Sequence, residues 1–243
     1  MGGGPQFLGA HQLIFLRKRK SRGNFTMKKQ FALITIVCVF CFCSMAFGLK
    51  PVDEELLAGA DSGTLTQVQD ALSKGADANA VDDDGSSALM LVSASGNKNL
   101  VTLLLEKGAE VNKKDKEGWS PLMISAVQGH VDVAQILLAK GAKINDRSND
   151  GATPLMNAAV QGHQDLVKIL LEKGAEPNMR DNEGWTALML AANNGHLEIV
   201  KNLVDNKADL TLKNIDGWSA LMLATNAEHK GIIELLKNKG AKE

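Results

Sequence analysis

Four of the five histidines in this 243-residue chain, His130, His163, His196 and His229, stand 33 residues apart. Imidazole is the side chain that most readily binds metal or moves a proton near neutral pH, so such a set is the first place to look for chemistry. Zinc requires its ligand nitrogens at ~2.0–2.1 Å. A fixed period of about 20 to 50 residues marks stacked repeats, and helices packed side by side lie ~8–10 Å apart. One histidine per repeat therefore makes a ladder, and its rungs are too far apart to converge on one ion.

The same geometry removes Met90, Met123, Met156, Met189 and Met222, also at a step of 33, as a copper site. Methionine is a flexible apolar filler, and these five read as core. The stretch Asp146-Arg147-Ser148-Asn149-Asp150-Gly151 resembles the opening of a calcium loop, but its twelfth position is Asn157 instead of the bidentate Glu that such loops need. It reads better as a turn. No Gly-x-Ser-x-Gly, phosphate loop, His-Glu-x-x-His or paired-cysteine motif is present. No nucleophile is brought to a base by any spacing in the chain, no cofactor or metal is implied, and the reading is non-enzymatic.

The elements that carry these ladders follow the same period. Glycines 85, 118, 151, 184 and 217 each open a Gly-x-Ser/Thr-x-Leu-Met pattern, and Gly-Ala pairs recur at 75, 108, 141, 174 and 240, with Lys207-Ala208 in phase. A step of 33 with this pattern resembles the ankyrin repeat. The resemblance covers residues 53–243 and implies an all-α solenoid of stacked helix-turn-helix units with β-hairpin fingers. Six repeats are expected: an N-terminal cap at 53–83, inner repeats at 84–116, 117–149, 150–182 and 183–215, and a C-terminal cap at 216–243. In that family Gly-His shapes the turn between the helices. The family usually has His where this chain has Met, in Thr-Pro-Leu-His.

Within a repeat, Ser87, Ser120, Thr153, Thr186 or Ser219 is placed to cap the first helix, with Pro121 and Pro154 at its first position. Gly96, Gly129, Gly162 and Gly195 end it, and apolar residues at helical spacing, such as Leu100, Val101, Leu104 and Leu105, start a second. The glycine of Gly-Ala supplies the left-handed residue that stops it. In the first repeat Asp53, Glu54 and Asp61 suit the polar outer face of a cap. Lys207 for Gly and Asn202 for an apolar residue make 183–215 the loosest inner repeat, and Glu228 replaces the inter-helix Gly in the last.

Residues 1–48 contain no acid, seven Lys or Arg, and all three cysteines, Cys38, Cys41 and Cys43. Lys28-Lys29, seventeen uncharged residues from Phe31 to Phe47, and Ala46-Phe47-Gly48 make a secretory signal at 27–48 with cleavage before Leu49. Residues 1–26 read as a segment upstream of the true start at Met27. The apolar run is shorter than the ~20 residues of a comfortable membrane span, so the expected product is periplasmic or secreted, with no stable span after cleavage. From Leu49 onward 28 acidic residues face 20 basic ones, a balance that argues against nucleic acid as a partner.

What the resemblance implies is protein binding. In the family the residue after the finger glycine projects toward the concave binding surface, which points to Trp119, Trp185 and Trp218 as anchors, beside a basic ladder of Lys114, Arg147, Arg180 and Lys213 and the acidic Glu117, Asp150 and Glu183. The expected molecule is a monomeric scaffold for an unidentified protein partner. Exported bacterial ankyrin proteins that it resembles include ones supporting a periplasmic catalase against peroxide. The alternatives are a secreted effector acting on host proteins and an enzyme using the concave groove.

Overall fold

The computed structural model describes residues 50–242. The signal segment, its cleavage position, the cysteines and the upstream segment fall outside the described residues. Among the described residues twelve helices follow one another in pairs: α1 Pro51–Ser62 and α2 Leu65–Ser73, α3 Ala88–Ser95 and α4 Lys98–Glu106, α5 Pro121–Gln128 and α6 Val131–Ala139, α7 Pro154–Gln161 and α8 Gln164–Glu172, α9 Ala187–Asn193 and α10 Leu197–Asp205, α11 Ala220–Asn226 and α12 Lys230–Asn238. The all-α solenoid expected from the 33-residue step is the architecture observed. First helices pack on first helices more closely than second helices do on one another, so the array curves toward the first-helix side.

Local chemistry sets each helix start. The hydroxyls of Ser87, Ser120, Thr153, Thr186 and Ser219 accept the backbone N–H of the methionine three residues on, at 3.3–3.4 Å. Each satisfies one of the N–H groups that a helix leaves without an internal partner. The methionines then point into the core. Met90, Met123, Met156 and Met189 are at most 2% exposed, and they pack in an interior shared with Leu89, Leu122, Leu155, Leu188 and the second-helix Leu100, Leu104, Leu137, Leu166 and Leu170. Burying a side chain of this kind is worth about 1.5–3 kcal/mol, so each interface between repeats is held mainly by apolar area.

The fingers differ in one respect from the β-hairpins that the resemblance implies. Among the described residues there is no strand, only two isolated bridges, Val81 with Ser87 and Lys213 with Ser219. Each finger is a tight turn closed by a polar side chain. Asp115 Oδ1 accepts from the N–H groups of Glu117 (2.9 Å) and Trp119 (2.8 Å). Asp82, Asp181 and Asn214 do the same in their own fingers.

The first repeat corrects one expectation. Glu54 and Asp61 are exposed, as a capping face requires, but Asp53 is 6% exposed and its Oδ1 accepts the N–H of Asp77 at 2.7 Å. Asp53 belongs to the fold's internal bonding and not to its outer surface.

Candidate functional site

The histidines lock neighbouring repeats together. Nε2 of His130, His163, His196 and His229 lies 2.9–3.2 Å from the carbonyl oxygens of Ala94, Val127, Val160 and Asn193, in each case 36 residues earlier. An imidazole that donates to a carbonyl is fixed in one tautomer. The ring also packs against the inter-helix glycine of the preceding repeat. A Cβ on Gly129 would stand 2.5 Å from the His163 ring, and the residue has φ 75°, so both space and backbone demand glycine there. Glu228, at the same place in the sixth repeat, keeps a positive φ of 58°.

A second ladder was not singled out from the sequence. Asn79, Asn112, Asn145 and Asn178 each donate Nδ2–H to the carbonyl of Gly108, Gly141, Gly174 or Lys207, 29 residues on. Their Oδ1 atoms accept the N–H groups of Glu110, Lys143, Glu176 and Asp209 at 2.7–3.0 Å. The signal was a 33-residue recurrence of Asn inside polar loops, where no hydrophobic pattern draws attention to it. Asp53 plays the acceptor half of this role for the first loop.

The predicted basic ladder has a third stapling function. Lys114 Nζ donates to the Arg147 carbonyl (2.8 Å) and pairs with Asp146 (2.6 Å). Arg147 donates to the Arg180 carbonyl (2.9 Å), and Arg180 to that of Lys213 (2.7 Å). The acidic positions contribute through their backbones, since the carbonyls of Glu117, Asp150 and Glu183 accept from Asn149, Asn182 and Ile215 at 2.9–3.0 Å. Lys114, Arg147, Arg180, Lys213, Glu117 and Glu183 remain exposed at the finger edge. Ser148 Oγ is hydrogen-bonded to the Asp150 carboxylate, so part of the calcium-like stretch is spent within its own turn.

The tryptophans sit deeper than projecting anchors would. Trp119 and Trp185 are each 9% exposed and Trp218 is half-buried. A finger side chain next to the glycine is covered once another finger stacks on it, and Trp119 and Trp185 are followed by fingers bonded to their own. Their replacement is therefore expected to cost stability.

Burial shapes the electrostatics of one finger. Burial raises the Asp181 carboxyl above the usual carboxylate range, the N–H bonds from Trp185 and Glu183 oppose this, and the charges of Glu183 and Asp150 add to it. The inner side of the array offers another surface, formed by the exposed parts of the first helices. Leu91, Val127, Val160 and Leu190 are half-buried there, interleaved with half-buried Gln128, Gln161 and Asn193 and with the finger charges.

A family model described as Ankyrin repeats (3 copies) matches residues 56–148, 145–181 and 155–243. These matches span the helix pairs from within α1 to α12. No curated protein matches the chain. Among the described residues no helix is long and apolar enough to cross a membrane.

Proposed function

The chain belongs to the ankyrin-repeat family, and on that premise we propose that it is a non-enzymatic scaffold holding a protein partner on its finger edge and first-helix face. The observation that carries this reading is the division of labour among the ladders. Histidines, asparagines and finger cations join repeat to repeat, while Leu91, Val127, Val160 and Leu190 stay half-buried on the inner side. Apolar side chains set among amides and charges have the make-up of an interface core with a polar rim. The exposed finger residues Lys114, Arg147, Arg180, Glu117 and Glu183 would steer the partner and set its register more than they would hold it.

The proposed place of action is the periplasm or the exterior, supported by Lys28-Lys29, the apolar run 31–47 and the small residues before Leu49. A role beside periplasmic peroxide defence, or as an effector acting on host proteins, would use the same surface.

The test is a pull-down from envelope extract with the full chain, followed by titration of the recovered protein against single variants. Val127→Arg and Val160→Arg should weaken binding at least tenfold, as interface-core substitutions do, with melting temperatures close to that of the parent. Binding that survives both variants would place the partner elsewhere. Fractionation of cells producing the chain tests export: precursor retained in the cytoplasm with residues 1–48 attached would overturn it.

A further inference from the structure

The two residues at the end of each first helix, at 94–95, 127–128, 160–161, 193–194 and 226–227, recur along the first-helix side of the array. None of them is buried and none is charged, although charged residues make up 23% of the chain. In α5 and α7 every other residue is buried, so the strip that these pairs form is two residues wide. Its spacing is also fixed. The carbonyls bonded by the histidines belong to Ala94, Val127, Val160 and Asn193, the first residue of four successive pairs, and all four bonds fall within 2.9–3.2 Å. Each repeat therefore adds one like step, set by neighbouring helices that lie ~8–10 Å apart. The side-chain amides of Gln128 and Gln161, one step from each other, bond to no other described residue. Each amide has donors and an acceptor to offer.

We propose, resting on the scaffold reading above, that the part of the partner seated on this strip is an uncharged segment in the polyproline II conformation, meeting one repeat with every third residue. That conformation has three residues per turn and rises ~3.1 Å per residue, so the same side returns every ~9.3 Å, one repeat step. Its carbonyls make no internal hydrogen bond and are open to the amides of Gln128 and Gln161. A β-strand returns to one face every second residue, after roughly 6.6 Å, and is out of step by the next repeat. A helix returns every seven residues, after about 10.5 Å, but helices dock by an apolar face in an apolar groove. Here Val127 and Val160 give way to Asn193 and Asn226 along the row. Charge narrows the occupant further. An ammonium or carboxylate laid on the strip would lose water to side chains of no opposite charge, whereas charged flanks would meet Lys114, Arg147, Glu117 and Glu183 at the finger edge.

Fluorescence anisotropy with labelled peptides and the full chain tests this. Five copies of Pro-Pro-Val in tandem should bind at least tenfold more tightly than a peptide of the same composition with its valines irregularly spaced, and than five copies of Pro-Pro-Glu. Val160→Arg should weaken that binding at least tenfold, and Gln161→Ala in the same direction, with melting close to that of the parent. No binding of the Pro-Pro-Val peptide, equal affinity for the irregular one, tighter binding of an amphipathic helical peptide, or affinity indifferent to both substitutions would each overturn the proposal. A partner recovered from envelope extract and lost with Val127→Arg, on a chain that ignores the Pro-Pro-Val peptide, would leave the scaffold reading standing and overturn this one alone.

Discussion

The first and sixth repeats close the stack in different ways. At the first, Asp53 supplies the acceptor that an asparagine of a preceding repeat would have supplied, and the N–H of Asp77 is satisfied at 2.7 Å. At the sixth, Thr211 stands where the asparagine ladder continues, but its N–H and Oγ1 both turn back to Asp209 at 2.8 and 2.7 Å. The Gly240 loop receives no bracket from it of the kind that Asn178 gives Lys207. The same end leaves Trp218, Met222 and Ile233 partly open. Among the described residues the first repeat finishes its bonds and turns charge outward, whereas the sixth makes fewer of these bonds and keeps Trp218, Met222 and Ile233 half-buried. Apolar area and hydrogen-bond ladders are separate cements, and the sixth repeat is short of both.

The largest expected effect sets a covered tryptophan against an open one. Trp119→Ala removes a large side chain that is 9% exposed and should destabilise the chain by about 3–5 kcal/mol. Trp218→Ala, measured by denaturant titration, should cost distinctly less, because part of that ring already meets water. Equal costs would mean that the sixth finger is as well covered as the second inner one.

The next effect concerns the ladder itself. Thr211→Asn should let the new amide donate to the Gly240 carbonyl and accept from the N–H of Lys242, as Asn178 does with Lys207 and Asp209 at 3.2 and 2.7 Å. Two neutral hydrogen bonds that replace one local bond should raise stability by about 1 kcal/mol. The check is the denaturant midpoint together with amide exchange at Ala241 and Lys242, which should slow. A lower midpoint would show that the Thr211–Asp209 turn matters more than the missing bracket.

These contrasts bear on what the sequence discloses. The helix pairs were legible because their glycines, caps and apolar spacing answer to local rules that act within one repeat. The histidines, too, were legible as a ladder, since a 33-residue step excludes convergence whatever the bond partners are. Exposure was not legible. Trp119 and Trp218 have the same local sequence position, and only the finger stacked on the first makes them different. Asp53 looked like surface charge because nothing near it in the chain shows the N–H of Asp77, 24 residues away. The asparagine ladder was hidden for the same reason: its partners lie 29 and 31 residues on, inside loops whose polarity has an ordinary explanation.

The smallest effect separates fingers that carry an acid from the one that carries an amide. Asp181 and Asn214 occupy the same place and accept the same pair of N–H groups, from Glu183 and Trp185 in one finger and Asp216 and Trp218 in the other. Asp181 bears a charge that burial and the carboxylates of Glu183 and Asp150 disfavour, so its folded pKa lies above the ordinary value. A raised acid pKa means that the folded state binds this proton more tightly than the unfolded chain does. The contribution is therefore favourable at low pH and is lost as pH rises through the folded value. Asp181→Asn has no such loss, but it brings an amide N–H2 that Asn214 leaves buried without a partner. The two terms offset at neutral pH, where the variant should differ from the parent by less than about 1 kcal/mol. The slope is the sharper observable: as pH rises from below the ordinary carboxylate value through the raised folded value of Asp181, the variant should gain on the parent in melting temperature, and the difference should level off above it. A difference that stays flat with pH would mean that the two N–H bonds cancel the cost of burying the charge.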